Sequence, residues 1–153
     1  MKALRTSVIF LLALGVSGKA VFAIDPTSLK GIRQVDVLVD GTEHNACGIT
    51  TDDVKTSVKF IVGQSTLRIV DSPTSTFSII VSLVSLEGCA ATSIDIEVVA
   101  PVTVIGTGVT DYAAIIWSKG GVMTGPRQGQ RALEEIEALC KQLVVDWNTA
   151  NPK

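Results

Sequence analysis

The sequence of 153 residues predicts one α+β domain in two layers, a mostly antiparallel four- to five-stranded sheet with two helices on one face. Three observations support this fold class. Several short segments alternate apolar and polar residues with a period of two, two longer segments have helical periodicity, and the segments follow one another in the order β-α-β-β-β-β-α. This order buries the most apolar surface when both helices pack on the same side of the sheet.

A leader precedes the predicted domain. It begins with Lys2 and Arg5, continues through an apolar run over residues 8–16, and has small or medium side chains at Val21 and Ala23, as a signal peptide does before its cleavage site. The apolar run is shorter than the roughly 20 residues that span a bilayer. We therefore expect residues 1–23 to be a signal peptide cleaved after Ala23, and residues 24–153 to be a periplasmic or secreted domain without a membrane span.

The first part of the domain is predicted to be a strand followed by a helix. Apolar and polar residues alternate over residues 35–40, and Gly41 ends the pattern. Thr50 and Asp53 have the spacing of a capping box, so a helix is expected to begin there and to stop at Gly63. The apolar stripe of this helix consists of Val54, Val58, Ile61 and Val62.

The remaining elements are predicted to be four strands and the longest helix. Strands are expected at residues 67–71, 77–84, 93–99 and 112–118, with a hairpin turn at residues 87–89. Residues 120–126 contain three glycines and are expected to form a flexible bend. The final helix has a broad apolar stripe, made of Ala132, Leu133, Ile136, Leu139, Cys140, Leu143, Val144 and Trp147.

The domain contains three cysteines, which in an oxidising compartment permit one disulfide and leave one thiol. Cys140 lies on the apolar stripe of the final helix and is expected to be a buried free thiol. Pairing of Cys47 with Cys89, both in loop segments, is therefore favoured. If successive elements reverse direction along the sheet, however, these two cysteines lie at opposite ends, and the pairing stays open at the level of sequence.

No residue pattern predicts a metal site, and no catalytic residue can be assigned. The single histidine, His44, is near Asp40, Glu43 and Cys47, but a tight metal site needs more ligands than this arrangement offers. A nucleophile-and-base pair would also have to use His44, and no serine or cysteine can be assigned to it by spacing. A solvent-facing His44 is the expectation.

Two other patterns resemble functional motifs without meeting their chemistry. Gly120 and Gly125 are spaced as in a phosphate loop, yet Pro126 and Arg127 replace the lysine and hydroxyl residue that such a loop requires. The close carboxylate pairs, at residues 52–53 and 95–97, fit the first turn of a helix and the solvent side of a strand. No cofactor is therefore expected.

The composition disfavours some partners. The leader contains three of the 13 basic residues and none of the 15 acidic ones, so the remaining domain is mildly acidic. It also has no basic cluster, and we therefore do not expect nucleic acid or anionic lipid to be the main partner.

Three residues are candidates for binding. Trp117 lies on a strand that leads into the glycine-rich bend and is expected to be an exposed aromatic contact, whereas Trp147 is expected in the core. Tyr112 could line a pocket together with Trp117. Arg127, near the start of the final helix, could help to hold an anion.

Three features resemble a family of short exported bacterial proteins of unknown function. They are the segment Cys47-Gly48-Ile49-Thr50 before a helix, Trp117 ahead of a glycine-rich bend, and a final helix followed by Asn151-Pro152-Lys153. The resemblance covers nearly all of the mature chain. It implies a secreted α+β domain and assigns no catalytic residue.

The sequence thus favours a non-catalytic binding or assembly module that acts on a protein or small ligand. Its contact surface is expected at an open sheet edge, at the bend after Trp117, or on the wet sheet face that contains Ile80, Val84 and Val99. The first alternative is a small-ligand carrier with a pocket between sheet and helices. The second is a small enzyme. The identity of the partner and the oligomeric state are not predicted.

Overall fold

The computed structural model describes residues 26–43, 45–71, 77–103, 106, 108 and 110–153. The leader, with the expected cleavage site at Ala23, lies outside them. The described chain confirms the predicted α+β class and the order of its elements. These are a short 3-10 helix at Pro26–Leu29, β1 (Gln34–Asp40), α1 (Thr51–Val62), β2 (Arg68–Ile69), β3 (Ser78–Ser85), a 3-10 turn at Glu87–Cys89, β4 (Ala91–Thr103), β5 (Thr110–Thr124) and α2 (Gln128–Ala150).

The five strands form one mixed sheet in the order β2-β1-β3-β4-β5. β1 pairs in parallel with both β2 and β3, while β3 with β4 and β4 with β5 pair antiparallel. β2, which pairs in parallel, is only 2 residues long, whereas β5, which pairs antiparallel with β4, is 15 residues long. Most of the sheet is therefore antiparallel, as predicted.

The direction of β3 decides where the later loops lie. The sequence-based expectation that every element reverses the direction of the one before it was wrong at β3, because β2 and β3 both run parallel to β1. The carboxyl ends of β1 and β3 consequently lie at the same end of the sheet. We call this the upper end, and it brings together the loop after β1 and the turn after β3.

Both helices pack on one face of the sheet and enclose the core. The predicted stripe of α1 is buried in full, and in α2 the predicted stripe is buried except at Leu133 and Val144, which are partly buried. Trp147 is in the core, as expected, and its Nε1 donates a hydrogen bond to the carbonyl of Ile32 at 2.9 Å. The strands contribute Val35, Val37, Ile79, Val81, Leu83, Ile94, Ile96 and Val98 to this core.

Helix α1 begins and ends where the sequence predicts. Thr50 Oγ1 accepts a hydrogen bond from the backbone N–H of Asp53 at 3.1 Å, and Asp53 Oδ2 accepts one from the Thr50 N–H at 3.0 Å. The hydrogen bond from the Thr50 side chain holds the pKa of Asp53 below its ordinary value. Gly63 caps the other end. These contacts satisfy backbone groups that a helix terminus otherwise leaves unpaired.

Strand β5 is longer than predicted. The expected bend over residues 120–126 is extended strand as far as Thr124, and the backbone reaches a positive φ of 107° at Gly125. A Cβ placed on Gly120 would lie 2.8 Å from the carbonyl oxygen of Ile94 and would also collide with the carboxylate of Asp95. Glycine is therefore needed at this position because a neighbouring strand approaches closely.

Candidate functional site: the open face of the sheet

None of the described elements covers the face of the sheet opposite the helices. We call this surface the open face, and alternate residues of four strands form it. They are Asp36, Leu38 and Asp40 of β1, Ser78, Ile80, Ser82 and Val84 of β3, Ser93, Asp95, Glu97 and Val99 of β4, and Ile115, Ser118, Gly120 and Val122 of β5. The open face therefore extends across β1, β3, β4 and β5.

Several apolar side chains on the open face are exposed. Val84 is 67% exposed and Val122 is 72% exposed, and each of them is the neighbour of Ser93 on the strand between them. Leu38 on β1 and Ile115 on β5 are also on the open face, and each is about half exposed. Since water covers these apolar groups in the free protein, contact with another molecule would release that water and stabilise a complex.

The open face is thus the solvent-exposed sheet face that was proposed from sequence, but the three residues named there differ in exposure. Val84 is exposed, Ile80 is half-buried and Val99 is buried. Val99 lies beside a bulge, because the register between β4 and β5 shifts after Val98. Val99 faces the open side because it pairs with Ser78 of β3 in the regular alternation, and the bulge in β5 places Ile115 opposite it.

Acidic side chains lie among these apolar ones. Asp36, Asp40, Asp95 and Glu97 all point to the open face, and none of the positions of β1, β3, β4 and β5 on that face, as defined above, is basic. Arg68, which pairs with Gln34, places one basic residue on this face at the edge strand β2, directly beside β1. The open face thus combines apolar contact area with a negative potential.

Two of the carboxylates have distinctive surroundings. Asp36 Oδ1 is buried and has no hydrogen-bond partner. Asp95 lies over Gly120, where the absence of a side chain leaves space for it, and its Oδ2 accepts a hydrogen bond from Ser93 Oγ at 3.4 Å. A buried carboxylate oxygen without a donor is costly, so Asp36 lowers the stability of the free protein at this position.

Trp117 is not part of an exposed surface. It is 2% exposed, points to the helices, and its Nε1 donates a hydrogen bond to Asp146 Oδ2 at 3.0 Å. The expectation of an exposed aromatic contact was wrong because β5 continues beyond the tryptophan and turns this side chain toward α2. Asp146 next to Trp147 was the available signal, since a carboxylate beside the apolar stripe can accept from an indole.

The other candidate binding residues do not form a group with Trp117. Arg127 is exposed beyond the upper end of β5, with a left-handed φ of 58°, and its side chain does not cap α2. Arg127 lies about 20 Å from Trp117, because the upper part of β5 lies between them as extended strand. The side chain of Tyr112 and the whole of His44 lie outside the described part of the chain.

A disulfide joins Cys47 to Cys89 at the upper end of the sheet. It links the loop between β1 and α1 to the turn between β3 and β4, and Cys47 Sγ also lies 3.2 Å from Thr92 Oγ1. This pairing is possible because β3 runs parallel to β1. Cys140 is a free, buried thiol, and its burial, together with the nearby Glu137, raises its pKa to about 12.

A shallow hollow of about 320 Å³ lies at the start of β1, lined by Gly31, Arg33, Gln34 and Phe77. This hollow does not lie between the sheet and the helices, where the pocket of a small-ligand carrier was expected. In that region Trp117 is packed in the core. The described residues include no group of three or more His, Cys, Asp or Glu able to hold a metal ion. Their helices include none long and apolar enough to cross a membrane.

Comparison with known proteins does not assign a family. No family model matches the chain, and no curated protein matches it significantly. A solved structure of a PelC dodecamer from Paraburkholderia phytofirmans is similar in fold, with a TM-score of 0.45 and 15% sequence identity, over 74% of this chain and 87% of that one. This similarity is too low to indicate a function.

Proposed function

We propose that the protein is an exported, non-catalytic binding module whose protein partner docks on the open face. The exposure of Val84 and Val122 on a sheet face that no described element covers is the observation that carries this proposal. Isolated exposed apolar residues are common in soluble proteins, whereas several on one face are typical of an interaction surface.

The arrangement of the polar groups supports binding rather than catalysis. Active sites are ordinarily concave, because a reaction needs groups that converge on one substrate and exclude water. The carboxylates of the open face are instead spread over two strands, with serines between them in β3. Such a surface suits an extended contact with another protein.

Export is supported by two independent features. The leader has the charged, apolar and small-residue segments of a signal peptide. The disulfide between Cys47 and Cys89 is of the kind that persists in oxidising compartments. The intact mass of the protein purified from host cells tests this part, and we expect the mass of residues 24–153 less two hydrogens. A mass that includes residues 1–23 would contradict it.

Docking on the open face can be tested by site-specific photo-crosslinking in intact host cells. A photoreactive phenylalanine analogue would replace Val84 or Val122 on the open face. Matched controls carry the same analogue at Phe60 of α1 and Val145 of α2, which are likewise exposed apolar residues, one on each helix. We expect a discrete crosslinked product from the open-face positions and none from the controls. Equal products from both sets, or none from either, would refute the proposal.

A further inference from the structure

We infer that the partner presents a basic amphipathic helix to the open face, with lysine or arginine side chains directed at its carboxylates. This inference rests on the proposed function and specifies the chemistry of the partner. It begins from charge. Four carboxylates point to the open face, whereas its one basic residue, Arg68, lies at the edge of the sheet. A complementary surface therefore carries positive charge.

Asp36 is one of these carboxylates. Its Oδ1 is buried without a hydrogen bond in the free protein. The residue as a whole is half-buried, so an ammonium or guanidinium group of a partner would approach its carboxylate from the solvent side and not through Oδ1. Leu38 follows on the same face and Ser78 is paired with Asp36, so the aliphatic part of a lysine or arginine would have apolar contact beside its polar head.

The dimensions of the open face favour a single helix. Neighbouring strands lie about 4.8 Å apart, so the axes of β1 and β5 are separated by about 14 Å. Along the strands, the open face extends about 20 Å from the level of Asp36 and Ser78 to the level of Val84, at the ordinary rise per residue. A helix with its side chains is about 10–12 Å wide, and about 13 residues of it are 20 Å long.

A second copy of this chain fits the same surface poorly. Two open faces brought together would place four carboxylates of one copy against four of the other, and like charges in contact oppose association. A basic helix with apolar residues at helical spacing instead meets both properties of the surface. Its apolar side contacts Val84, Ile80 and Val122, while its cations reach the acidic positions.

The probe is a synthetic 15-residue peptide in which leucine and lysine alternate at helical spacing, compared with a peptide in which glutamate replaces lysine. Both are titrated into the isotopically labelled protein and followed by amide chemical shifts. We expect the lysine peptide to shift signals of β1, β3 and β4 with an affinity that falls as salt is added, and the glutamate peptide to leave them unchanged. Shifts confined to the helices, or equal effects of the two peptides, would overturn the inference.

Two matched variants separate a specific site from net charge. Asp36→Asn with Glu97→Gln removes two charges from the open face, and Asp52→Asn with Glu134→Gln removes two from exposed positions on the helices. We expect the first pair to weaken lysine-peptide binding about tenfold, and the second by less than about twofold. Equal weakening by the two pairs would show general attraction to an acidic protein and would overturn the inference, as would no effect of either pair.

The result can be separated from that of the proposed function. If crosslinks form at Val84 and Val122 but the crosslinked partner segment is acidic or uncharged, docking on the open face stands and the basic helix is excluded. If no crosslink forms at these positions, both proposals fail. Shifts of open-face signals with protein concentration alone would identify a second copy as the occupant and would also overturn the inference.

Discussion

Replacing both Cys47 and Cys89 by serine is expected to lower the free energy of unfolding by about 4 kcal/mol. The disulfide connects residues 42 positions apart. In the chain-entropy description, a closed loop of this length reduces the entropy of the unfolded chain by about 13 cal/mol/K, which at 25 °C is about 4 kcal/mol. Single domains have total stabilities of about 5–15 kcal/mol, so the variant would lose a large part of its stability.

The assay is urea unfolding of three samples: the oxidised protein, the reduced protein, and the double serine variant. Work at about pH 6 keeps the Cys140 thiol protonated, so that it does not exchange with the disulfide during unfolding. The reduced protein and the variant should unfold at the same urea concentration, well below that of the oxidised protein. In thermal unfolding the same loss corresponds to a decrease of about 15 °C in Tm.

A loss below about 1 kcal/mol would refute this reasoning. It would mean that other contacts already hold the loop after β1 in place when the disulfide is broken. Such contacts exist: Asn45 Nδ2 donates to the carbonyls of Thr42 and Ile49, each at 2.6 Å, and the Ala46 N–H donates to Ser85 Oγ at 3.3 Å. Residual structure in the reduced, unfolded chain would have the same consequence.

Further predictions concern two adjacent glycines and the free thiol. Gly120→Ala is expected to destabilise the protein by about 1–3 kcal/mol, because its Cβ would meet a backbone carbonyl. Gly121→Ala, whose Cβ meets only the end of a flexible glutamate side chain, should change the stability in urea by less than about 0.5 kcal/mol; similar losses for both would contradict this account. Because burial raises the pKa of Cys140 to about 12, iodoacetamide at pH 8 should label it only in unfolded protein. Since folding favours the protonated thiol, stability should also fall as pH rises above about 9; rapid native labelling would refute the buried environment.

The helices could be predicted closely because their signals are local. Thr50 and Asp53 mark the start of α1 through contacts made within four residues, and the stripe of α2 identifies its buried side without knowledge of its neighbours. The strand directions could not be predicted in this way. β2 has two residues, too few for a period, and its parallel pairing with β1 depends on contacts between distant parts of the chain.

The side of a strand to which a residue points is equally non-local. Trp117 and Ser118 are adjacent, and only the register with β4 places Trp117 toward the helices and Ser118 on the open face. Glycine at position 120 is compatible with a bend or with a close approach of Asp95, and the sequence does not distinguish them. The cysteine pairing depended on the same missing information, since it follows from the direction of β3.

Two positions on the open face lower the stability of the free domain. Asp36 retains a buried oxygen without a donor, and Gly120 occupies a strand position at which glycine is less favourable than other residues. A serine, as at Ser78 and Ser82 on the same face, would keep the surface polar without a buried oxygen that lacks a donor. Stability of the free domain therefore does not explain these two positions. A cationic partner would give the carboxylates of the open face a role, because its positive charge would complement theirs.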